Sequence, residues 1–179
     1  KRQVIDALKT TVRKDYRFTT ELLNELDYSR KVVLVTCHRR ENYGQPMENI
    51  MTALRDIALQ NEDCELVYPV HLSPVVRENA QKFLAGTPRV HLIDPLSADE
   101  MHNLMARCYM VMTDSGGLQE EAPALGLSSH HEHGLAERPE AVAAGTVKLC
   151  GVEYDDVLRM GNELLRSKEA YDAMAHAVN

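Results

Sequence analysis

Residues Lys31-Val32-Val33-Leu34-Val35 constrain this chain more than any other stretch. From Val32 to Val35 the run is apolar and mostly β-branched, with no polar residue interposed. That is the pattern of a strand covered on both faces. A strand of this kind belongs in a parallel sheet, and parallel neighbours need long crossovers between them. The rest of the chain supplies such crossovers. Thr36 to Pro46 is polar and turn-rich and leads into a helix from about Met47 to Leu59. Glu65 to Val70 reads as a strand. Ser73-Pro74 is a helix start with proline just inside the cap, and Val75 to Leu84 is its helix. Val90 to Ile93 is a short strand, and Ser97-Ala98-Asp99-Glu100 matches a capping box ahead of Met101 to Arg107. Tyr109 to Met112 is a further buried strand, with a helix from Leu118 to Leu125 after it. Glu137 to about Gly145 is helical, Thr146 to Cys150 is a strand, and Val152 to Leu165 and Glu169 to Ala177 are closing helices. Before the first strand, Val4 to Val12 has helical spacing, and Leu22, Leu23 and Leu26 suggest a short helix. This alternation predicts an α/β domain, a parallel sheet with helices on both faces, spanning residues 1–179 as one unit.

Composition bounds the partners. Hydrophobic residues make up 44% and charged residues 26%, ordinary for a globular chain. The formal net charge of −7 argues against nucleic acid or an anionic membrane as the main partner, while leaving room for a local anion site. Cys37, Cys64, Cys108 and Cys150 are widely spaced and lie at the edges of apolar runs. They read as small buried hydrophobes in a reducing compartment, the alternative being a reactive thiol at Cys37 beside His38. No run is long enough to span a membrane, and Lys1-Arg2-Gln3 precedes no signal-like core, so the expected location is the cytoplasm.

In a parallel sheet, ligands bind beyond the carboxyl ends of the strands. The segments there are Cys37-His38-Arg39-Arg40-Glu41-Asn42, His71-Leu72-Ser73, Asp94-Pro95-Leu96 and Asp114-Ser115-Gly116-Gly117. The last of these, a strand end, a Gly-Gly turn and a helix start, offers unpaired N–H groups to an anion. Gly116 and Gly117 permit close approach of a phosphate to the main chain. Glu120 and Glu121 are about 100° apart on a helix, so only one of them can face a ligand. N–H groups for phosphate and a carboxylate for a diol suit a nucleotide; the blander reading is helix-start stabilisation by both acids. His38, Arg39, Arg40, His71 and Ser115 can converge on one cleft, as a diphosphate requires. Against this stands a solvated loop with internal ion pairs for His38 to Asn42, and a structural hydrogen bond for His71. His91 and His102 lie inside elements and are given no role. Leu127 to Ala136 breaks the rhythm: His130, His131, Glu132 and His133 invite a metal, but close spacing without a supporting shell favours a solvated loop, and no metal site is assigned.

Taken in order, these motifs resemble the C-terminal half of the bacterial non-hydrolysing UDP-N-acetylglucosamine 2-epimerases. The resemblance is carried by Val4 to Val12, His38-Arg39-Arg40-Glu41-Asn42, Tyr68-Pro69-Val70-His71, Thr113 to Gly126, and Glu137-Arg138-Pro139-Glu140 followed by Ala144-Gly145-Thr146. It implies a Rossmann-like domain, the second of a glycosyltransferase-B-type pair, that holds UDP. It further implies interconversion of UDP-GlcNAc and UDP-ManNAc by elimination and re-addition of UDP, with no cofactor. His38 would be the catalytic histidine at the diphosphate, Ser115, Gly116 and Gly117 the phosphate turn, Glu121 the ribose ligand and Arg138 a diphosphate contact. Arg39 and His71 resemble residues that bind a second, activating UDP-GlcNAc, and the family suggests a homodimer.

Three departures shape the expectations. The family's acid/base carboxylates belong to an N-terminal domain absent from this chain, so the chain by itself is expected to bind UDP weakly and to catalyse nothing. Leu127 to Ala136 replaces an apolar strand and a threonine-containing turn ahead of Arg138. Met101 stands where the family has a phenylalanine at the uracil. The competing readings are a hydrolysing epimerase or nucleotide-sugar glycosyltransferase of the same architecture, and a non-catalytic nucleotide-sugar sensor.

Overall fold

The computed structural model describes residues 12–114, 145–148 and 153–177. Five strands, β1 (Lys31–Thr36), β2 (Cys64–Pro69), β3 (Val90–Ile93), β4 (Met110–Thr113) and β5 (Gly145–Lys148), form one sheet in the order β3-β2-β1-β4-β5. Every pairing is parallel. The described helices are α1 (Glu21–Glu25), α2 (Gln45–Gln60), α3 (Pro74–Phe83), α4 (Ala98–Arg107), α5 (Tyr154–Arg166) and α6 (Lys168–Ala177).

The strand order explains where the helices lie. From β1 the chain steps outward through β2 to β3, then returns past β1 to β4. Because crossovers keep one hand, reversing the direction of travel moves the connecting helix to the opposite face. The buried residues divide accordingly. Val33 and Val35 share one cluster with Leu66, Tyr68, Met110 and Met112, covered by α2, α3, α5 and α6. Val32 and Leu34 face the other way, with Val67, Val111 and α4, and Val12, Phe18 and Leu23 close that side. Val32 to Val35 are each 0% exposed, as a strand covered on both faces requires.

The capping box at Ser97 forms as expected. Ser97 Oγ accepts from the Glu100 N–H at 3.1 Å, and Glu100 returns the bond to the Ser97 N–H. Glu100 also accepts from the Thr20 N–H at 3.0 Å, so one carboxylate caps α4 and ties down the segment before α1. At the other end of the sheet the strand reading shifts. Gly145, expected to end a helix, is the first residue of β5 and pairs with Met110. The parallel ladder to β4 decides the backbone there more strongly than local spacing does.

Cys37, Cys64 and Cys108 are buried, which favours the packing role over a reactive thiol at Cys37. The expected helix from Val4 and the Leu118 to Leu125 helix lie outside the described residues, except for Val12. So do the Leu127 to Ala136 stretch, Glu137 to Ala144, Leu149 and Cys150. Among the described residues no helix is long and apolar enough to cross a membrane. Nor do any three His, Cys, Asp or Glu side chains among them stand where they could hold a metal ion.

Candidate functional site

The sheet changes direction between β1 and β4, and at such a point the loops leaving the two strands separate into a crevice. The last paired residues, Thr36 and Thr113, are register partners, and their hydroxyls lie 2.5 Å apart in a buried hydrogen bond. The Asp114 N–H then donates to the Thr36 carbonyl at 3.0 Å and carries the ladder one residue further. Past this pair the chain leaves β1 as Cys37-His38-Arg39 and β4 as Asp114-Ser115.

Asp114 joins the two exits. Its carboxylate is fully buried, and one oxygen, Oδ2, accepts three hydrogen bonds. These come from the His38 N–H at 2.9 Å, the Arg39 N–H at 2.8 Å and the Asn42 side-chain amide at 3.1 Å. The other oxygen lies 3.9 Å from His38 Nδ1, within ion-pair range but too long for a hydrogen bond. Asn42, 4% exposed, belongs to a short 3₁₀ turn, Arg40–Asn42, that closes the loop. Gly44 follows with a φ of 89°, a backbone state that glycine adopts without strain, and admits the chain to α2. From beneath, the Tyr68 hydroxyl donates to the Cys37 carbonyl at 2.5 Å. Burial drives that phenol well above its ordinary pKa.

Of the residues expected to converge at the strand ends, His38 and His71 come together. The His38 and His71 rings are near-parallel, 8° apart in plane and 5.3 Å between centroids. His71 Nδ1 accepts from the Ser73 N–H at 3.1 Å, so the structural role considered for His71 and its place beside His38 both hold. Ser73 Oγ in turn accepts from the Tyr43 hydroxyl at 3.1 Å, which links the 3₁₀ loop to the start of α3. The Arg39 guanidinium donates to the Asp114 carbonyl at 3.4 Å and pairs with Glu41. The Glu41 carboxyl is held below the usual carboxylate range, first by its own backbone N–H and further by Arg39. The internal ion pair of a solvated loop is therefore present, on a loop whose backbone is anchored to β4. Arg40 is exposed on the same turn.

Ser115, Gly116, Gly117, Glu121 and Arg138 lie outside the described residues. Asp114 is the last described residue before Ser115. Met101 is half-buried and packs against the cluster around α4. The role of Asp114 is not legible from local pattern, because an aspartate ahead of a Ser-Gly-Gly turn looks like turn chemistry. Its partners lie 72 to 76 residues away.

A sheet switch point with His38 and Arg39 held at the end of β1, and the sequence Ser115-Gly116-Gly117 directly following Asp114 at the end of β4, suits a nucleoside diphosphate. Comparison with known proteins agrees. The family profile described as UDP-N-acetylglucosamine 2-epimerase matches residues 2–179. The chain belongs to this family. The Bacillus subtilis UDP-N-acetylglucosamine 2-epimerase is 46% identical over 175 residues, covering 98% of this chain and 45% of that protein. A Staphylococcus aureus structure titled as an MnaA–UDP complex superimposes with a TM-score of 0.77 at 37% identity, covering 97% of this chain and 47% of its own. A Neisseria meningitidis UDP-GlcNAc 2-epimerase solved with UDP-GlcNAc gives 0.74 at 37% identity, covering 96% and 48%. The fold is thus the Rossmann-like α/β fold of these glycosyltransferase-B-like epimerases, and the chain spans about half the length of the relatives it matches.

Proposed function

We propose that this chain is the UDP-binding half of a UDP-GlcNAc 2-epimerase that interconverts UDP-GlcNAc and UDP-ManNAc. In that reaction the C2 proton is removed and the C1–O bond to UDP breaks, leaving a glycal. Reprotonation of C2 on the other face and re-addition of UDP at C1 give the epimer. The half described here deals with the departing diphosphate. Negative charge grows on it as the bond breaks, and donors already fixed around it lower that barrier without reorganising. His38 would stand at the diphosphate, with Ser115, Gly116, Gly117 and Arg138 as its other donors and Glu121 on the ribose. Proton transfer at C2 would fall to carboxylates of an N-terminal domain. Arg39 and His71, the latter stacked on His38, would bind a second UDP-GlcNAc as activator. The reaction needs no cofactor, and the reading carries with it a cytoplasmic homodimer feeding surface-polysaccharide synthesis.

One observation supports this reading above the others: His38 and Arg39 are held by consecutive backbone N–H bonds to the residue that precedes Ser115. The test is a calorimetric titration of UDP into the chain and into His38→Ala and Ser115→Ala variants. Each variant removes a charge-assisted or hydroxyl contact to phosphate, so affinity should fall about tenfold. Equal affinity in all three proteins would refute the assignment of the site.

A further inference from the structure

We infer that Asp114 is the positioning residue of this site, the group that sets where the His38 imidazole and the Arg39 guanidinium stand before a ligand arrives. The inference rests on the reading of His38 as a diphosphate residue and adds to it the cause of its placement.

The geometry is that of a pin through two consecutive peptide units. A single oxygen takes the N–H groups of His38 and Arg39, so neither peptide plane can rotate without breaking a charge-assisted bond. Arg39 has extended backbone, with φ −72° and ψ 139°. Fixing both peptide planes therefore fixes the directions in which the His38 and Arg39 side chains leave the backbone. The third bond, from Asn42, locks the turn that would otherwise let the loop swing. Opposite the pin, the His71 ring lies parallel to His38 and limits its remaining rotation.

An acid at this place also carries a cost. A carboxylate beneath a site for a diphosphate repels the ligand through a poorly screened path. If charge alone mattered, neutralising Asp114 would tighten UDP binding. If position matters more, neutralising it weakens binding, because the two N–H bonds lose their charged acceptor. The two accounts predict opposite signs for the isosteric Asp114→Asn variant.

The experiment uses the 179-residue chain with UDP and inorganic pyrophosphate as probes. Asp114→Asn should bind UDP about fivefold more weakly than the parent, and Asp114→Ala at least tenfold, each tenfold step corresponding to about 1.4 kcal/mol. Amide spectra give a second readout that a general loss of stability would not move. In the parent the His38 and Arg39 amide protons should resonate downfield and exchange slowly; in Asp114→Asn they should move upfield while the rest of the spectrum stays put. Tyr68→Phe loosens the same loop from below without touching the pin and should leave UDP affinity within about threefold, under 1 kcal/mol. Unchanged or tighter UDP binding in Asp114→Asn would overturn the inference. So would fast-exchanging His38 and Arg39 amides in the parent, a test that stands even if Asp114→Ala fails to fold. Failure of the underlying reading looks different, since His38→Ala would then bind UDP as the parent does.

Discussion

Helices α2 and α5 approach each other at Gly161 more closely than a side chain allows, and the consequence can be worked through. A Cβ built on Gly161 would lie 2.4 Å from Ile57 Cδ1 and 3.1 Å from Cγ1. Ordinary carbon contacts are about 3.5–4.0 Å, so Gly161→Ala must displace the isoleucine tip by about 1 Å or part the helices. Ile57 is 1% exposed and packed in the larger core cluster, so its tip has no open space to turn into. Overpacking of this kind costs about 1–3 kcal/mol, against about 1 kcal/mol gained by placing alanine rather than glycine in a helix. The expected net loss is therefore about 1 kcal/mol. Ile57→Val removes Cδ1 at a cost of about 0.5–1.5 kcal/mol by itself. In that background the 2.4 Å contact no longer exists, and Gly161→Ala should become neutral or stabilising by up to about 1 kcal/mol. The four proteins form a double-mutant cycle with an expected coupling of about 1–2 kcal/mol, read from urea midpoints at unchanged slope. Additivity within about 0.5 kcal/mol would show that the helices simply slide apart, and the close-approach argument would be wrong.

Tyr68→Phe removes the donor to the Cys37 carbonyl from a fully buried place and should cost about 1–2 kcal/mol of stability by urea denaturation; no change would mean that bond is not formed in solution. Burial pushes the Cys64 thiol up to about 11, and Cys37 and Cys108 are equally enclosed. None of the three should react with Ellman's reagent at pH 8 until a Cys150→Ser chain is unfolded, and rapid labelling of that native protein would contradict the packing described. Burial raises the pKa of Asp56, but hydrogen bonds from Tyr154 and Arg55 outweigh it and hold the carboxyl below its ordinary value. A depressed folded pKa stabilises the fold above the unfolded pKa of about 3.9 and ceases to do so as pH falls through the folded value. The stability gap between parent and Tyr154→Phe should therefore be level from about pH 5 to 8 and shrink below about pH 4, and a gap that widens in acid would reverse the assignment. Met101→Phe should raise affinity for UDP but not for pyrophosphate, by about threefold or more, if position 101 meets the base through stacking; equal gains for both ligands would place it elsewhere.

Much of the architecture could be read before any coordinates. Val32 to Val35 announced a strand enclosed on both sides, and each proved fully buried. Ser97 and Glu100 announced a cap, and it formed. Burial periodicity and capping chemistry act over a few residues, so they are written in local order. The strand-end loops could also be assigned to one rim, since in a parallel sheet all carboxyl ends share an edge. What the sequence could not state was which loops would be neighbours on that rim. Gly145 illustrates the limit, because its local setting reads as the end of a helix while its ladder with Met110 makes it strand.

The strand order put β4 beside β1, and this alone brings Asp114 to His38, Arg39 and Asn42. The same holds for Tyr68 under Cys37, for Thr20 on Glu100 and for Gly161 against Ile57. Each of these contacts joins residues whose own neighbourhoods are unremarkable, and each appears only once two distant segments have been packed together. The sequence determined that polar, cationic loops would gather at one rim of the sheet and which residue types they would carry. The tertiary structure decided that a buried carboxylate, rather than the loop's own ion pair, holds that rim in place. The physical reason is that propensity and periodicity are short-range properties, whereas pairing between strands and burial between layers depend on the whole chain.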